Sequence, residues 1–405
     1  MTKKLLVFTF AFLSFITVNG EEYVPYKIKG EFIGGYVIPH DENVEVLVKG
    51  PSIGAELAVE FATDGSKPWQ AYYNNPDVGV ALQLLSFGNP EVLGDMVSVY
   101  PYINLPLTKA TNFSLNIKLG GGLAFCTNPL DKDAALADPR PIKGTNGKNK
   151  DYNFAIGSLV NGILAGGANM EFSLNKNISL TGDLMFNHFS NGSTVQPNTG
   201  LNIFNGYVGL KYLPEYKKRT QNIAETAPIK KKFSGEVIFS GGIKDRYYRD
   251  TKKFPIGSLN LEGYYQTCHQ HRIGIGLDGF YDGIYTNDSA LSSSYQRTDI
   301  DSDELKNKIR VGVNIANELI IGNFIAGIQF GLYLYDPIKD LEPYETSKRR
   351  EKGLIYAYNI QEEDGWLYTK LTTKYKITPN LLANFDLKMH LQKAEFVEFG
   401  LGYAF

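Results

Sequence analysis

Apolar and polar residues alternate along most of this chain. From about residue 26 onward, the alternating stretches are about 10 to 14 residues long and are separated by turn-forming Gly, Asn, Asp, Pro and Lys. Successive side chains of a β-strand point to opposite faces, so each predicted strand has one apolar and one polar face. Repeated over the chain, this pattern is typical of an antiparallel transmembrane β-barrel, which turns its apolar side chains toward lipid.

The alternation predicts about sixteen strands, and an even number is usual for bacterial outer-membrane barrels. If the first strand starts in the periplasm, the longest connections become extracellular loops and the short turns lie in the periplasm. We favour closure of all the strands into one wide barrel; the alternative is an eight-stranded barrel unit followed by a second eight-stranded unit. The predicted strands are 26–38, 52–63, 77–88, 94–105, 112–126, 162–174, 177–190, 202–213, 234–247, 256–268, 272–286, 306–319, 323–336, 366–377, 381–391 and 394–405, and the predicted extracellular loops are 127–152, 287–305 and 337–362.

The first residues of the chain are typical of a bacterial export signal. Lys3 and Lys4 supply positive charge, residues 5–18 are mostly apolar, and small residues precede Glu21. We therefore expect residues 1–20 to be a cleaved signal peptide and the mature protein to reach the outer membrane.

A charged, lysine-rich segment, residues 215–232, interrupts the alternation on the side where turns should be short. It predicts a periplasmic linker or a long periplasmic turn. It also separates two eight-strand barrel regions, residues 21–214 and 233–405. The second region ends in alternating apolar residues, and a terminal phenylalanine, Phe405, after such alternation resembles the assembly signal of outer-membrane barrels.

The composition suits a membrane barrel and argues against nucleic acid as a partner. The 405 residues include 26 Tyr, 24 Phe and 41 Gly. Aromatic side chains suit the interfacial girdles of a barrel, and glycine suits its bends and turns. The formal net charge is -2 at pH 7, whereas nucleic-acid binding needs a concentrated basic surface.

Two potential catalytic residues, His188 and Ser190, lie two positions apart in the predicted strand 177–190. Residues i and i+2 of a strand point to the same face, with Cα atoms about 6 to 7 Å apart. The His188 imidazole can therefore reach the Ser190 hydroxyl. A serine becomes a good nucleophile when a neighbouring base takes its proton, so the pair predicts ester hydrolysis that needs neither a cofactor nor a metal ion.

The parity of the same strand places this pair on the lipid side. The apolar side chains of strand 177–190 share a face with His188 and Ser190, and the strand runs outward, so both residues lie near the extracellular rim. In the returning strand 202–213, Asn202 falls on the lipid side beside His188. Because a polar group that faces lipid is costly unless paired, we expect these three groups to satisfy one another.

The residues around this pair resemble the lipid A 3-O-deacylase (acyloxyacyl hydrolase-like) family. The matching motifs, within residues 155–214, are His188-x-Ser190-Asn191 and Pro197-Asn198-x-Gly200. The resemblance implies an eight-stranded barrel that removes a 3-O-linked acyl chain from lipid A of lipopolysaccharide in the outer leaflet. It implies that Ser190 is the nucleophile and His188 the general base. It further implies that Asn198 is an oxyanion donor, helped by backbone N–H groups near Gly192 and Ser193.

The sequence departs from this family at Asn202, where its best-studied branch has a glutamate. An asparagine can still hold a catalytic histidine in its useful tautomer, as in Cys-His-Asn proteases, so the expected mechanism is Ser-His-Asn. Asparagine supplies no charge to stabilise the imidazolium, and we expect lower activity for that reason.

A second resemblance is to the outer-membrane phospholipase A family, which carries His-x-Ser-Asn-Gly and orients its histidine with an asparagine. The spacing of that asparagine matches His188 to Asn202. The second motif, around Asn198, fits the deacylases better, so phospholipase A activity is the alternative function. A non-catalytic, porin-like barrel with idle rim residues is a third hypothesis.

Overall fold

The computed structural model describes most of the chain. The described residues are 26–40, 42–137, 151–214, 228–229, 232–246, 248, 252–286, 304–336, 366–390 and 393–405. The export signal predicted at residues 1–20 and the predicted loop 337–362 lie wholly outside them, as do parts of the predicted linker 215–232 and of the predicted loops 127–152 and 287–305. Within the described ranges, no helix is long and apolar enough to cross a membrane.

The first eight strands form a closed antiparallel barrel, in which β8 pairs with β1. The strands are β1 (Tyr26–Ile38), β2 (Ser52–Ala62), β3 (Asp77–Ser86), β4 (Asp95–Lys109), β5 (Phe113–Cys126), β6 (Val160–Ser173), β7 (Ile178–Ser190) and β8 (Leu201–Tyr212). The described connections contain the short helices α1 (Glu42–Glu45), α2 (Pro68–Tyr72) and α3 (Lys132–Ala137).

The last eight strands form a second closed antiparallel barrel, in which β9 pairs with both β10 and β16. The strands are β9 (Phe233–Lys244), β10 (Phe254–Cys268), β11 (His271–Asp282), β12 (Ile309–Ile321), β13 (Phe324–Tyr335), β14 (Leu367–Lys376), β15 (Leu381–His390) and β16 (Lys393–Ala404). A short helix, α4 (Leu305–Lys308), precedes β12.

The predicted all-β fold of sixteen antiparallel strands is confirmed, but the favoured single wide barrel is corrected to the alternative of two eight-stranded barrels. In a single barrel β8 would pair with β9, whereas it pairs with β1, with Ile38 opposite Asn202. Alternation identifies the two faces of a strand but not the partner of the eighth strand. Closure at eight or at sixteen strands removes free sheet edges equally well, so the pattern could not distinguish them.

The chain divides into two compact units, each containing one barrel. The first unit takes the described residues of ranges 1–128, 159–189 and 201–225, and the second takes those of 129–158, 190–200 and 226–405. Residues 191–200, called the β7–β8 loop below, carry several of the predicted site residues. By its contacts this loop belongs to the second unit.

Strand β7 shows how alternation sorts side chains between the two faces of the first barrel. Leu184 and Phe186 are exposed on the outer face, whereas Met185 and Phe189 are fully buried inside. The predicted parity of this strand is therefore confirmed. An outer face of exposed apolar side chains is the face that a membrane barrel turns toward lipid.

Buried ion pairs fill the interior of the first barrel. Lys118 Nζ lies 2.7 Å from Glu56 Oε1 and 3.3 Å from Asp183 Oδ2. Lys29 Nζ lies 3.3 Å from the same Asp183 oxygen and 2.7 Å from Glu31 Oε2. These side chains are buried because the interior of an eight-stranded barrel is just wide enough for its own side chains. Each charge is acceptable there only while its partners remain in place.

The interior of the second barrel combines an aromatic cluster with ion pairs. The cluster consists of Ile256, Phe280, Tyr333, Tyr368 and Phe396. In the same interior, Lys374 Nζ lies 2.7 Å from Glu236 and 2.9 Å from Glu318. Side chains of the described residues therefore occupy this interior as well, and this packing gives no support to the porin-like hypothesis.

The substitution Lys118→Ala should destabilise the first barrel by about 3 to 5 kcal/mol, because it leaves Glu56 and Asp183 buried without one of their cationic partners. The measurement is urea unfolding of the purified protein in detergent micelles, followed by intrinsic fluorescence. Lys306→Ala removes an exposed ion pair with Glu304 and should leave the unfolding midpoint unchanged. Equal shifts in the two variants would contradict a special contribution from the buried network.

Candidate active site

His188 and Ser190 lie at the end of β7, two residues apart on its outer face. Both residues are half-buried, whereas Phe189 between them points inward and is fully buried. The alternation of the strand therefore places an imidazole and a hydroxyl side by side on the face that carries the exposed apolar residues.

Asn202 on β8 pairs directly with His188 on β7, as predicted from the sequence. The Asn202 Oδ1 atom lies 2.6 Å from His188 Nδ1. An amide oxygen can only accept a hydrogen bond, so His188 Nδ1 carries the proton and Nε2 of the neutral ring keeps a lone pair. This tautomer leaves Nε2 able to accept a proton, as a general base must.

His40, which follows β1, is a site residue that the sequence did not reveal. Its Nδ1 atom lies 3.2 Å from Asn202 Nδ2. An amide nitrogen can only donate, so the His40 nitrogen is the acceptor. Asn202 therefore bridges two imidazoles, with its oxygen on His188 and its nitrogen on His40. The pairing of Ile38 with Asn202 could have indicated this contact, but a single wide barrel does not bring β1 and β8 together.

Two hydrogen-bond donors converge on the hydroxyl oxygen of Ser190. The backbone N–H of Gly192 donates to it over 3.0 Å, and Asn198 Nδ2 donates over 2.8 Å. The Asn198 amide is held in this orientation because its Oδ1 accepts the backbone N–H of Asn191 over 2.9 Å and the Ser190 hydroxyl over 3.2 Å. The structure thus brings Gly192 and Asn198, two of the predicted oxyanion donors, to the predicted nucleophile.

Ser193 contacts residues of the second barrel. It has a φ of 64° and follows Gly192, whose φ is 61°, so the chain turns sharply through left-handed conformations directly after β7. The Ser193 hydroxyl donates to the carbonyl of Ala394 over 3.0 Å, and the Ser193 carbonyl accepts the backbone N–H of Asp245 over 3.1 Å. These contacts fix the β7–β8 loop, and an oxyanion role for the Ser193 N–H stays a prediction.

Asn191 organises the β7–β8 loop from within. Its Nδ2 donates to Ser158 Oγ over 2.8 Å and to the carbonyl of Val195 over 2.9 Å. Its backbone carbonyl accepts the Thr194 hydroxyl over 3.0 Å. An asparagine side chain offers both a donor and an acceptor, so it can satisfy several groups of a tight loop at once.

The buried carboxylate of Asp245 holds the same loop within the second unit. Its Oδ2 accepts the backbone N–H of Gln196 over 3.1 Å, and Gln196 Oε1 accepts the backbone N–H of Asn198 over 3.1 Å. Lys253 and Lys132 pair with the Asp245 carboxylate at 2.7 and 3.2 Å. No sequence pattern indicated Asp245, because it follows β9 and lies 49 residues from Gln196.

The end of β7, the β7–β8 loop and the start of β8 carry groups of the kinds that ester hydrolysis uses. Ser190 offers a hydroxyl, His188 a base, Asn202 an orienting acceptor, and Gly192 and Asn198 two donors for developing negative charge. Among the residues that the structure describes, no group of three or more His, Cys, Asp or Glu side chains is placed to hold a metal ion.

Two family models match the chain, one on each barrel. Residues 53–211 match the model described as Lipid A 3-O-deacylase (PagL). Residues 233–345 and 353–405 match the model described as Acyloxyacyl hydrolase, C-terminal domain.

Similar solved structures add little to this match. The crystal structure of the outer membrane enzyme PagL is 16% identical, with 46% of this chain and 98% of that chain covered and a TM-score of 0.29. A mutant porin of Rh. blastica is 7% identical, with 95% of this chain and 100% of that chain covered and a TM-score of 0.18. At these TM-scores neither similarity supports an inference. A search of curated proteins gave no match.

Barrel, site and matched models together define a class: the chain is a carboxylic ester hydrolase of the bacterial outer membrane. It belongs to the lipid A 3-O-deacylase family. The resemblance drawn from the motifs at residues 188–191 and 197–200 is thereby confirmed.

The substitution Asp245→Ala should loosen the β7–β8 loop, because the Gln196 N–H loses its acceptor and the Lys253 ammonium loses its carboxylate partner. A hydrogen bond to a charged group contributes roughly 1.5 to 3 kcal/mol, so we expect amide exchange in peptides covering 191–200 to accelerate by about tenfold or more. Hydrogen–deuterium exchange with mass spectrometry measures this. Glu304→Ala, which removes an exposed carboxylate of the second unit, should leave exchange in the loop as in the wild type. Unchanged amide exchange in Asp245→Ala would show that Asp245 does not hold the β7–β8 loop.

Proposed function

We propose that this chain is a serine esterase that removes the acyl chain ester-linked at the 3-O position of lipid A in lipopolysaccharide. One observation carries the proposal: Gly192 N–H and Asn198 Nδ2 both donate to the oxygen of Ser190, which shares a face of β7 with His188. The Nδ1 atom of that histidine is held by Asn202. A nucleophile, a base in the required tautomer and two oxyanion donors are thereby gathered at the end of one strand.

The reaction begins when His188 Nε2 takes the proton of Ser190 and the serine oxygen attacks the ester carbonyl carbon. In the structure the Ser190 hydroxyl donates to Asn198 Oδ1 over 3.2 Å. It must therefore turn toward His188 when substrate binds. Catalytic hydrogen bonds commonly tighten only in the substrate complex, so this resting arrangement is compatible with the mechanism.

Gly192 and Asn198 then stabilise the tetrahedral intermediate. Their N–H groups already point at Ser190 Oγ, the atom that becomes bonded to the tetrahedral carbon. The oxyanion forms on that same carbon, within reach of both donors after a small shift. Removal of a preorganised donor of this kind commonly costs about 100- to 1000-fold in rate.

Collapse of the intermediate breaks the ester bond and leaves the acyl group on Ser190. The departing lipid oxygen takes the proton from His188, and a water molecule that His188 deprotonates then attacks the acyl-enzyme and releases the fatty acid. Asn202 orients the imidazole in both steps. It adds no negative charge beside the imidazolium, so we expect slower turnover than a carboxylate at this position would give.

The position of the site favours a substrate that stays in the membrane. Ser190 and His188 share the outer face of β7 with exposed apolar side chains, among them Leu184 and Phe186. An acyl chain can lie against these side chains while its ester reaches Ser190, because burial of apolar surface is favourable. The family is described as lipid A 3-O-deacylase, and lipid A of the outer leaflet fits a site at the extracellular end of an outward-running strand.

Phospholipase A activity is the second candidate, and the hydrogen bond between Asn202 and His188 is the observation that favours it. An asparagine that orients the catalytic histidine is the arrangement that the resemblance to outer-membrane phospholipases implies. The contacts of Asn198 with Ser190 and Asn191 favour the deacylase instead, because they give a role to the second deacylase motif.

The substitutions Ser190→Ala and His188→Ala should each abolish fatty acid release from lipopolysaccharide, because one removes the nucleophile and the other the base. The readout is the mass of lipid A extracted from cells with and without each variant, where loss of one 3-linked hydroxyacyl chain is a defined decrease. Both variants should remain folded, heat-modifiable barrels in gel electrophoresis. Deacylation retained in either variant would refute the mechanism, and intact lipid A with Ser190-dependent phospholipid loss would favour the phospholipase.

The substitution Asn198→Ala should lower kcat by about 100- to 1000-fold, because it removes one oxyanion donor while leaving the nucleophile and base in place. The assay follows release of hydroxy fatty acid from purified lipopolysaccharide in mixed micelles. Asn175→Ala serves as a matched control, since Asn175 lies in the exposed turn between β6 and β7. A kcat for Asn198→Ala within a few-fold of this control would exclude an oxyanion role.

A further inference from the structure

We propose that His40 is a positioning residue that selects the catalytic tautomer of His188 by fixing the orientation of the Asn202 amide. The inference rests on the proposed function, because it concerns the base of that reaction. It assigns a role to a histidine that lies outside both sequence motifs.

An asparagine is an ambiguous partner for a catalytic histidine. Its side chain carries an acceptor and a donor of almost equal size, and a rotation of the amide by half a turn exchanges them. With the Asn202 Oδ1 toward His188, the His188 Nδ1 carries a proton and donates it in a hydrogen bond, so His188 Nε2 is free to act as a base. With the Asn202 Nδ2 toward His188, the His188 Nδ1 must accept a hydrogen bond. The ring proton then lies on His188 Nε2, and the ring can no longer take the serine proton.

A carboxylate at position 202 would not have this ambiguity, since both of its oxygens accept hydrogen bonds. The sequence therefore needs another device to keep the Asn202 oxygen turned toward His188. The wrong tautomer is costly, because an amide in place of the carboxylate of a serine protease triad lowers kcat by about 10⁴-fold for this reason.

His40 provides that device. Its Nδ1 lies 3.2 Å from Asn202 Nδ2 and, when neutral and unprotonated at that atom, can only accept. While His40 keeps this tautomer, the flipped amide would turn its oxygen toward the lone pair and lose the hydrogen bond. The observed orientation satisfies both ends of the amide at once, with 2.6 Å to His188 on the other side.

The fold holds His40 at this distance through the closure of the first barrel. Strand β1 is paired with β8 up to Ile38 opposite Asn202, so the chain passes beside Asn202 as it leaves the sheet. His40 is half-buried at that point. Removing one hydrogen bond from an otherwise shielded amide should change the balance between its two orientations measurably.

The test is a double-variant cycle of His40→Ala and Asn202→Asp, assayed by hydroxy fatty acid release from lipopolysaccharide. In the Asn202 background, His40→Ala should lower kcat by about 10- to 100-fold with little change in KM, because the loss lies in the fraction of enzyme with a usable base. In the Asn202→Asp background the same substitution should change kcat by less than about twofold, since either orientation of a carboxylate accepts a hydrogen bond from the His188 Nδ1–H group. His40→Gln, whose Oε1 can accept the Asn202 N–H, should recover a substantial part of the activity.

A merely structural role for His40 predicts a different pattern. An equal loss of kcat in both backgrounds would overturn the proposal, and so would wild-type kcat in the single variant. Heat-modifiability of each variant on gels reports folding, and if His40→Ala fails to fold, the comparison of His40→Gln with His40→Leu in the two backgrounds gives the same test. His271→Ala, at the start of β11 in the second barrel, is a matched control and should keep wild-type kcat.

The same assay separates this inference from the proposed function. Ser190→Ala is included in each series. Activity that persists without Ser190 would refute the esterase mechanism itself, whereas Ser190-dependent activity that is insensitive to His40 would refute only the role of His40.

Discussion

The pairing of β1 with β8 is the interaction on which the proposed site depends. It closes the first sheet at eight strands and leaves that sheet without a free edge, as lipid requires. The same hydrogen-bond register places Ile38 opposite Asn202 and carries the chain on to His40. The hairpin of β7 and β8 places Asn202 opposite His188. Backbone pairing alone therefore aligns three polar side chains on an outer face that is otherwise apolar.

At the end of β7, the hydrogen bonds that satisfy the polar side chains are also the hydrogen bonds that the proposed reaction needs. An unpaired polar group facing lipid costs several kcal/mol, and the structure avoids that cost by joining the groups to one another. His188 is paired with Asn202, and Ser190 is paired with Asn198 and Gly192. The donors that satisfy the serine oxygen in the resting protein are the ones that would bind the oxyanion. Little rearrangement then separates the stable state from the reactive one.

The parts of this structure that could be predicted from the sequence are those that follow from the alternation of apolar and polar residues along each strand. Parity located the outer face of β7, the position of His188 and Ser190 on it, and the pairing of Asn202 with His188. Alternation carries no information about which distant strand completes a sheet, so it did not distinguish one barrel from two. His40 was missed for that reason, because only closure at eight strands brings it to Asn202. Asp245 was missed because its partners in the β7–β8 loop are remote in sequence and polar loop residues have no periodic pattern.

The contacts of the β7–β8 loop also bear on what a shortened chain would retain. Ser193 is bonded to Ala394, which lies 201 residues further along the chain, and Gln196 is bonded to Asp245. Neither partner lies in the hairpin of β7 and β8 that carries the loop, so the order of the loop depends on residues that this hairpin does not contain. A fragment that ends before Asp245 would retain the sequences of β7 and β8 but not the contacts that hold the loop between them.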